Sequence, residues 1–326
     1  MESSTRTSTM DVTVARKHIE ATDICSFELV SAGGRSLPSF AAGAHVDVHV
    51  GNHLVRQYSL CNRPDERDRY MIAVLKDEHS RGGSIAMHEL VKEGDTLQIS
   101  EPKNHFPLAA GARRSVLFAG GIGITPILCM AERLALIEAR FDLHYCARER
   151  SRMAFMDRIQ RSIFGAMTHL HFDDGPPHQQ LDVEAVLGKV ELDTHIYVCG
   201  PTGFMRYVLD TAERLHWPEQ NVHREFFAAP AAPKSEGERR FSVKIATSGQ
   251  LIIVTGEETI AAALAGHGIE VPLSCEQGVC GTCLTRVLSG IPDHRDSFMT
   301  VEEHEKNDSI TVCCSRSNSE LLVLDV

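Results

Sequence analysis

Hydrophobic and polar positions along this chain change rhythm twice. From about residue 10 to 108 the runs are short, as in HVDVHV (45–50) and RYMIAVL (69–75), and turn signals such as AGG and KEGD separate them. This spacing predicts an antiparallel sheet or barrel, with one short helix around 84–91. From about 112 to 228, apolar strands alternate with helical periodicity. SVLFAG (115–120) leads through a glycine loop into TPILCMAERLALIEA (125–139). FDLHYCA (141–147) and HIYVCG (195–200) read as further strands, the second followed by PTGFMRYVLDTAERL. Such alternation predicts a parallel α/β sheet. AAPAAPKSEGERR (228–240) is rich in Ala, Pro and charge and reads as an exposed linker. The last stretch returns to short strands, FSVKIA, QLIIVT, ITVCCS and ELLVLDV, with a helix at 258–267. The expected organisation is a β-barrel domain over 1–110, an α/β domain over 111–228, a linker over 229–240 and a small α+β domain over 241–326.

Composition narrows the classes. A chain of 326 residues has room for two or three cores. Hydrophobic content of 43% and charged content of 24% are ordinary for a globular protein. No stretch approaches the roughly 20 apolar residues that span a bilayer. MESSTRTSTM has no apolar core of a secretory signal, so the expectation is a cytoplasmic protein with no membrane partner. The net charge of −11 argues against a nucleic-acid partner. It fits a partner with a basic face, and equally a need for solubility alone.

Ten cysteines are present, and half of them fall after residue 270. SCEQGVCGTC (274–283) places Cys275, Cys280 and Cys283 in a C-x4-C-x2-C pattern, with Cys313 following after a long interval. Zinc, a disulfide or redox pair, and an iron–sulfur cluster all use neighbouring thiols. Zinc ribbons show two CxxC-like knuckles or add histidines, and the second half here offers only the adjacent Cys313 and Cys314. The spacing is that of a plant-type [2Fe–2S] site. Thiolate-ligated clusters carry net negative charge, which backbone N–H groups offset. Gly278 and Gly281 allow the chain to wrap with positive φ where needed, and Ser274 and Thr282 can add hydroxyl donors. Adjacent cysteines on a strand point apart, so Cys314 is expected to stay outside the ligand set.

Two glycine turns mark the α/β stretch. In GGIGITP (120–126), Gly121 and Gly123 would let the backbone approach a diphosphate at a helix N-terminus, with Thr125 at the N-cap and Pro126 at the first helical position. Pro126 stands where a full dinucleotide fingerprint has its third glycine. CGPTGFM (199–205) again follows a strand and opens a helix, and two such turns suit a dinucleotide lying across strand ends. Cys199 could sit near a reacting ring or be a buried thiol before a loop. Arg148 could contact the adenosine portion, accommodate a 2′-phosphate, or be a solvated charge.

RQYSL (56–60) ends a predicted strand. Tyr58 could stack on an isoalloxazine, Ser59 could hydrogen-bond its N5 edge, and Arg56 could hold a phosphate. SRGGS (80–84) places two glycines, a basic residue and a hydroxyl before a helix, which suits either a phosphate cradle or an ordinary cap. Chemistry joins the pieces. Nicotinamide gives two electrons as hydride and a [2Fe–2S] cluster takes one, so a chain with both sites needs a flavin as converter.

Together these residues resemble the phthalate dioxygenase reductase family, flavin–NAD–ferredoxin fusions that serve Rieske oxygenases, over nearly the whole chain. The resemblance implies an antiparallel β-barrel flavin domain, a parallel α/β nicotinamide-nucleotide domain and a C-terminal plant-type ferredoxin (β-grasp) domain. It implies FMN contacts at Arg56, Tyr58 and Ser59, and at Arg81, Gly82, Gly83 and Ser84. Nucleotide contacts are implied along the two turns: Gly120, Gly121, Gly123 and Thr125, then Cys199, Gly200, Pro201, Gly203, Phe204 and Met205, with Arg148 beyond the next strand. REFF (224–227) resembles the end of the reductase part, where Phe226, or else Phe227, packs on the flavin. Cys275, Cys280, Cys283 and Cys313 would hold the cluster; Cys314 departs from the family pattern.

The expected activity is therefore hydride transfer from NADH to FMN, aided by Ser59, Cys199 and Phe226, then single-electron transfer through [2Fe–2S] to a terminal Rieske oxygenase. A cytochrome P450 is the alternative acceptor. A zinc-stabilised sensor is the rival outside enzymes. The 17 histidines show no H-E-x-x-H pattern, and no G-x-S-x-G elbow occurs. DHRD (293–296) is expected to support the cluster domain or a docking surface.

Overall fold

A computed structural model describes residues 9–51, 54–77, 82–191, 193–227, 239–256, 258–273 and 275–326. The linker expected over 229–240 lies almost wholly outside the described residues, as do Arg81 and Ser274. The chain forms two compact units, residues 1–225 and 226–326. Among the described residues no helix is long and apolar enough to cross a membrane.

The first unit begins with β1 (Thr9–Ala21), β2 (Ile24–Ser31), β3 (Ala44–Val50), β4 (Leu54–Ser59), β5 (Arg69–Leu75), β6 (Thr96–Ser100) and the short β7 (Lys103–Asn104). The order is β4-β3-β6-β1-β2-β5, with β7 paired to β3, and neighbours are antiparallel. A bridge between Leu60 and Ile72 joins the end of β4 to β5 and closes the sheet into a barrel. Two-residue alternation turns Val12, Val14, Phe27, Leu29, Val46, Val48, Ile72 and Ile99 into one buried core. The helix expected at 84–91 is α1 (Gly83–Glu89), between β5 and β6.

The same unit continues as β8 (Arg114–Gly120), α2 (Ile124–Leu136), β9 (Phe141–Ala147), α3 (Met156–Arg161), β10 (Thr168–Phe172), α4 (Val183–Leu187), β11 (Thr194–Cys199), α5 (Thr202–Arg214) and β12 (Val222–Glu225). All neighbours are parallel, in the order β10-β9-β8-β11-β12. The strand order reverses between β8 and β11, so both glycine turns leave the sheet at its topological switch point. A shared core of Cys61, Met71 and Phe106 with Leu117, Ala119, Ile127, Leu128 and Tyr197 joins barrel and parallel sheet. Ala109 N also donates to the Tyr197 hydroxyl at 2.7 Å.

The second unit holds β13 (Phe241–Ile245), β14 (Leu251–Val254), α6 (Ile260–Gly266), β15 (Leu284–Ser289), β16 (Pro292–Asp293), α7 (Val301–Lys306), β17 (Ser309–Thr311), β18 (Arg316–Ser317) and β19 (Leu321–Leu324). Its mixed sheet runs β14-β13-β19-β15-β17, with β13 and β19 parallel. The apolar stripe of α6 (Ile260, Ala261, Ala263, Leu264) covers its inner face. One expectation fails in detail. ITVCCS is not a continuous strand: β17 stops at Thr311, and Cys314 N and Ser315 N both turn back to the Thr311 carbonyl. A turn keeps Cys313 on the side of the other thiols, which a straight strand would not guarantee.

Candidate functional site

The first centre forms where three distant segments meet. Ser59 ends β4, Cys199 ends β11, and Glu225 ends β12. Ser59 Oγ donates to Glu225 Oε2 at 3.2 Å. Burial pushes the Glu225 carboxyl up to about 8, against the pull of the Ser59 hydrogen bond. Cys199 is fully buried, and burial, then the charge of Glu225, raise its thiol well above its ordinary range. A proton-holding carboxyl, a hydroxyl and a neutral thiol thus stand together at the carboxyl ends of the strands. Glu225 was not anticipated from the sequence. Its neighbours in REFF drew attention to the aromatics, and a glutamate before two phenylalanines carries no local mark of burial. Phe226 follows directly and is half-buried.

The glycine turns divide their work differently from expectation. A Cβ on Gly120 would lie 2.7 Å from the Phe204 ring, and one on Gly200 would lie 2.8 Å from the same ring. A Cβ on Gly123 would lie 2.6 Å from Gly200 N and closer still to the Cys199 carbonyl. Gly123 therefore lets the two turns touch, rather than opening room for a diphosphate. Gly121, with φ of 52° and open space beside it, is the glycine of this turn that leaves room for a ligand. Thr125 is not the N-cap. A 3₁₀ turn over Gly121–Gly123 runs straight into α2, so Thr125 is buried in the first helical turn and its Oγ1 donates to Ile122 O at 3.1 Å. Pro201 caps α5, Gly203 faces open space, and Met205 is buried beneath the helix. The first N–H groups of α5, a 13-residue helix, therefore lack intrahelical acceptors at the switch point.

At the end of the barrel, Arg56 on β4 packs so closely on α1 that a Cβ on Gly83 would lie 2.6 Å from Arg56 Cγ. Gly82 holds φ of 87° before the helix, and Ser84 Oγ accepts from Asp77 N at 3.2 Å. Two segments that the sequence separates by more than twenty residues thus share one corner. Tyr58 packs its ring on the barrel core, and burial raises its hydroxyl above its ordinary range. Arg148 follows β9, and Asp173 N and Asp174 N bond to the carbonyls of Ala147 and Arg148 at 3.2 and 3.1 Å.

The second centre is a knot of buried thiols. Cys275 contacts Cys280 and Cys313, and Cys313 also contacts Cys283. These contacts pull the Cys275 thiol far down and push Cys280 and Cys313 up. Gln277 N donates to Cys275 Sγ at 3.3 Å, and Thr282 Oγ1 lies 3.3 Å from Cys280 Sγ. Gly278 and Gly281 have φ of 72° and 70°. Four converging sulfurs with inward N–H groups fit a tetrathiolate group of the [2Fe–2S] kind. Cys314 touches Cys313, but its sulfur also lies 3.3 Å from Thr311 Oγ1 and 3.8 Å from Ser315 Oγ.

The segment around DHRD braces this loop. A Cβ on Gly278 would lie 2.5 Å from Cys314 Sγ and 2.9 Å from Asp296 Cα, and one on Gly281 would run into the Phe298 ring. The glycines thus make room for the chain's own brace. The Asp296 carboxylate is fully buried and accepts from Met299 N at 2.8 Å, Phe298 N at 3.2 Å and Thr311 Oγ1 at 3.2 Å. His294 and His304 flank it with rings stacked 4.4 Å apart at 16°. Near-parallel imidazoles do not aim their nitrogens at one point, so the trio reads as a brace rather than a metal site.

A barrel and parallel sheet joined at a switch point, followed by a thiol-knot unit, define a flavin- and pyridine-nucleotide-binding reductase that passes electrons to an iron–sulfur centre. Comparison with known proteins agrees. Residues 243–318 match the 2Fe-2S iron-sulfur cluster binding domain family. The chain is 53% identical to the vanillate O-demethylase oxidoreductase of Pseudomonas putida, over 97% of this chain and 100% of that one. The solved structure of phthalate dioxygenase reductase, described as modular for electron transfer from pyridine nucleotides to [2Fe-2S], matches with a TM-score of 0.78 and 39% identity over 98% of both chains. A type IV self-sufficient cytochrome P450 monooxygenase matches with a TM-score of 0.83 and 35% identity, over 98% of this chain and 41% of that one. The chain belongs to the phthalate dioxygenase reductase family, and it is an oxidoreductase.

Proposed function

We propose that this reductase takes hydride from NADH onto FMN and delivers single electrons through a [2Fe–2S] cluster to a terminal Rieske oxygenase. When bound, nicotinamide supplies an electron pair, flavin splits it, and the cluster carries one electron at a time. The observation that carries the reading is the meeting of Ser59, Cys199 and Glu225 beside two glycine turns at the switch point. Ser59 orients the flavin edge, Glu225 holds a proton there at neutral pH, and Cys199 walls the nicotinamide side against water. Arg56 and the Gly82–Ser84 turn take the flavin phosphate, with Arg81, next to that turn in the sequence, assigned to it by the family pattern; Tyr58 lines the ring, a task the family pattern also gives to Phe226. Gly121 and the open N–H groups of α5 take the nucleotide diphosphate. Asp173 and Asp174, beside Arg148, disfavour a 2′-phosphate and so favour NADH over NADPH. Cys275, Cys280, Cys283 and Cys313 hold the cluster. The three expected domains correspond to these three tasks.

An oxygenase acceptor is supported by relatives named as vanillate O-demethylase oxidoreductase and phthalate dioxygenase reductase. A cytochrome P450 acceptor is the second reading, supported by the likeness to part of a P450 monooxygenase chain. Anaerobic titration with NADH and with NADPH, followed by optical and EPR spectra, tests the internal pathway. Bleaching of bound FMN and an EPR signal from a reduced cluster are expected with NADH first. A protein that binds no flavin, or whose flavin is not bleached by NADH, would sink the reading. Reconstitution with a Rieske oxygenase against a P450 separates the acceptors.

A further inference from the structure

We infer that Lys17 on β1 is a positioning residue for the flavin phosphate, acting through α1. The inference rests on the reading of Arg56 and the Gly82–Ser84 turn as the phosphate end of the flavin site. Lys17 Nζ donates to three backbone carbonyls at the far end of the helix: His88 O at 2.5 Å, Val91 O at 2.8 Å and Met87 O at 3.4 Å. An ammonium group carries three donors and no acceptor, so one side chain satisfies the three carbonyls.

The need for it follows from how α1 ends. Leu90, the residue after the last turn, keeps right-handed geometry, so no left-handed glycine cap closes the helix and its last carbonyls need outside donors. The Lys17 charge also complements the partial negative charge at that end. The side chain is half-buried, with Nζ 5.4 Å from the Phe27 ring centroid.

Further anchors of α1 lie in its C-terminal half. His88 Nε2 sits 2.8 Å from Val74 O, and Lys76 pairs with Glu89 at 2.9 Å, a partly exposed pair of the weak kind. A helix of seven residues does not hold itself together, so its position depends on these ties together with the Ser84–Asp77 bonds and the Arg56 packing at its first turn. The first turn is the one whose Gly83 lies against Arg56. Fixing the helix from behind sets that corner before a ligand arrives, so binding does not carry the cost of ordering it. In the sequence Lys17 lies in ARKHIE, a run of charges like any solvated strand face.

FMN and riboflavin share the ring and ribityl chain and differ by the phosphate, which separates positioning from general loosening. The test measures both dissociation constants on the deflavinated full chain, for wild type, Lys17→Met, Lys17→Arg and Arg56→Met. Lys17→Met, which keeps the apolar stem, should weaken FMN about tenfold and leave riboflavin within about twofold. Lys17→Arg should keep FMN within about threefold of wild type. Equal losses of FMN and riboflavin in Lys17→Met, or no loss of FMN, overturn the assignment. If wild type binds both flavins alike, or Arg56→Met leaves their ratio unchanged, the phosphate-site reading itself fails, and the role of Lys17 with it.

Discussion

Gly123 offers a test of how closely the two nucleotide turns must approach. Its φ is not positive, so Gly123→Ala introduces no backbone strain and isolates a single steric contact. The added Cβ would lie 2.6 Å from Gly200 N and closer to the Cys199 carbonyl, where ordinary contact begins near 3.4 Å. These are backbone atoms at the end of β11, so no flexible side chain can yield. The end of β11 must retreat by about 1 Å, and Cys199 shifts with it relative to Glu225 and Ser59. Overpacking of this sort costs about 1–3 kcal/mol of stability. A misplacement of about 1 Å at a reacting pair can slow the step about 100-fold, or about 2.7 kcal/mol of barrier. The assay is stopped-flow bleaching of the flavin by NADH, with flavin content and cluster absorption measured on the same sample. The expected result is a flavin- and cluster-replete protein whose bleaching is slowed about 100-fold. A variant that bleaches at the wild-type rate would refute the claim that this contact sets the crevice.

Three further outcomes follow from other parts of the molecule. Serine at Cys275, Cys280, Cys283 or Cys313 should abolish the cluster's visible absorption and EPR signal while flavin bleaching by NADH persists; Cys314→Ser should retain the cluster. The carboxyl of Glu225, raised to about 8 by burial, binds a proton in the folded state that the unfolded chain has already released above about 4.5. In deflavinated protein its contribution is therefore full below pH about 4.5 and lost as pH rises to about 8, and Glu225→Gln should flatten the thermal midpoint against pH over that window. Replacing Asp173 and Asp174 together by Ser should raise kcat/KM for NADPH about tenfold or more with little change for NADH; an unchanged ratio would remove these carboxylates from the account.

The order of the modules and the thiol spacing are legible in the sequence alone. Local signals suffice where one short segment supplies the chemistry. C-x4-C-x2-C with two glycines identified the thiol loop, two-residue alternation marked the barrel strands, and strand–glycine–helix transitions marked both turns. What the sequence could not supply lies between segments. Glu225 becomes a proton-holding group only because β12 ends beside β4 and β11, which buries its carboxyl next to Ser59. Gly123 and Thr125 were legible as residues but not in their roles, because packing of the α2 entry on the end of β11 uses the space that local pattern assigned to a ligand. Asp296 was legible only as part of a segment supporting the cluster domain or a docking surface, and Lys17 carried no local signal. The Asp296 carboxylate is buried where Phe298, Met299 and Thr311 donate to it, and Lys17 is half-buried against the end of a helix about seventy residues away. Local patterning writes the elements because their periods of 2 and 3.6 residues are properties of the backbone itself. Desolvation and hydrogen-bond partners belong to whichever elements the fold brings together, so tertiary structure alone decided which of these side chains are buried and what they pair with.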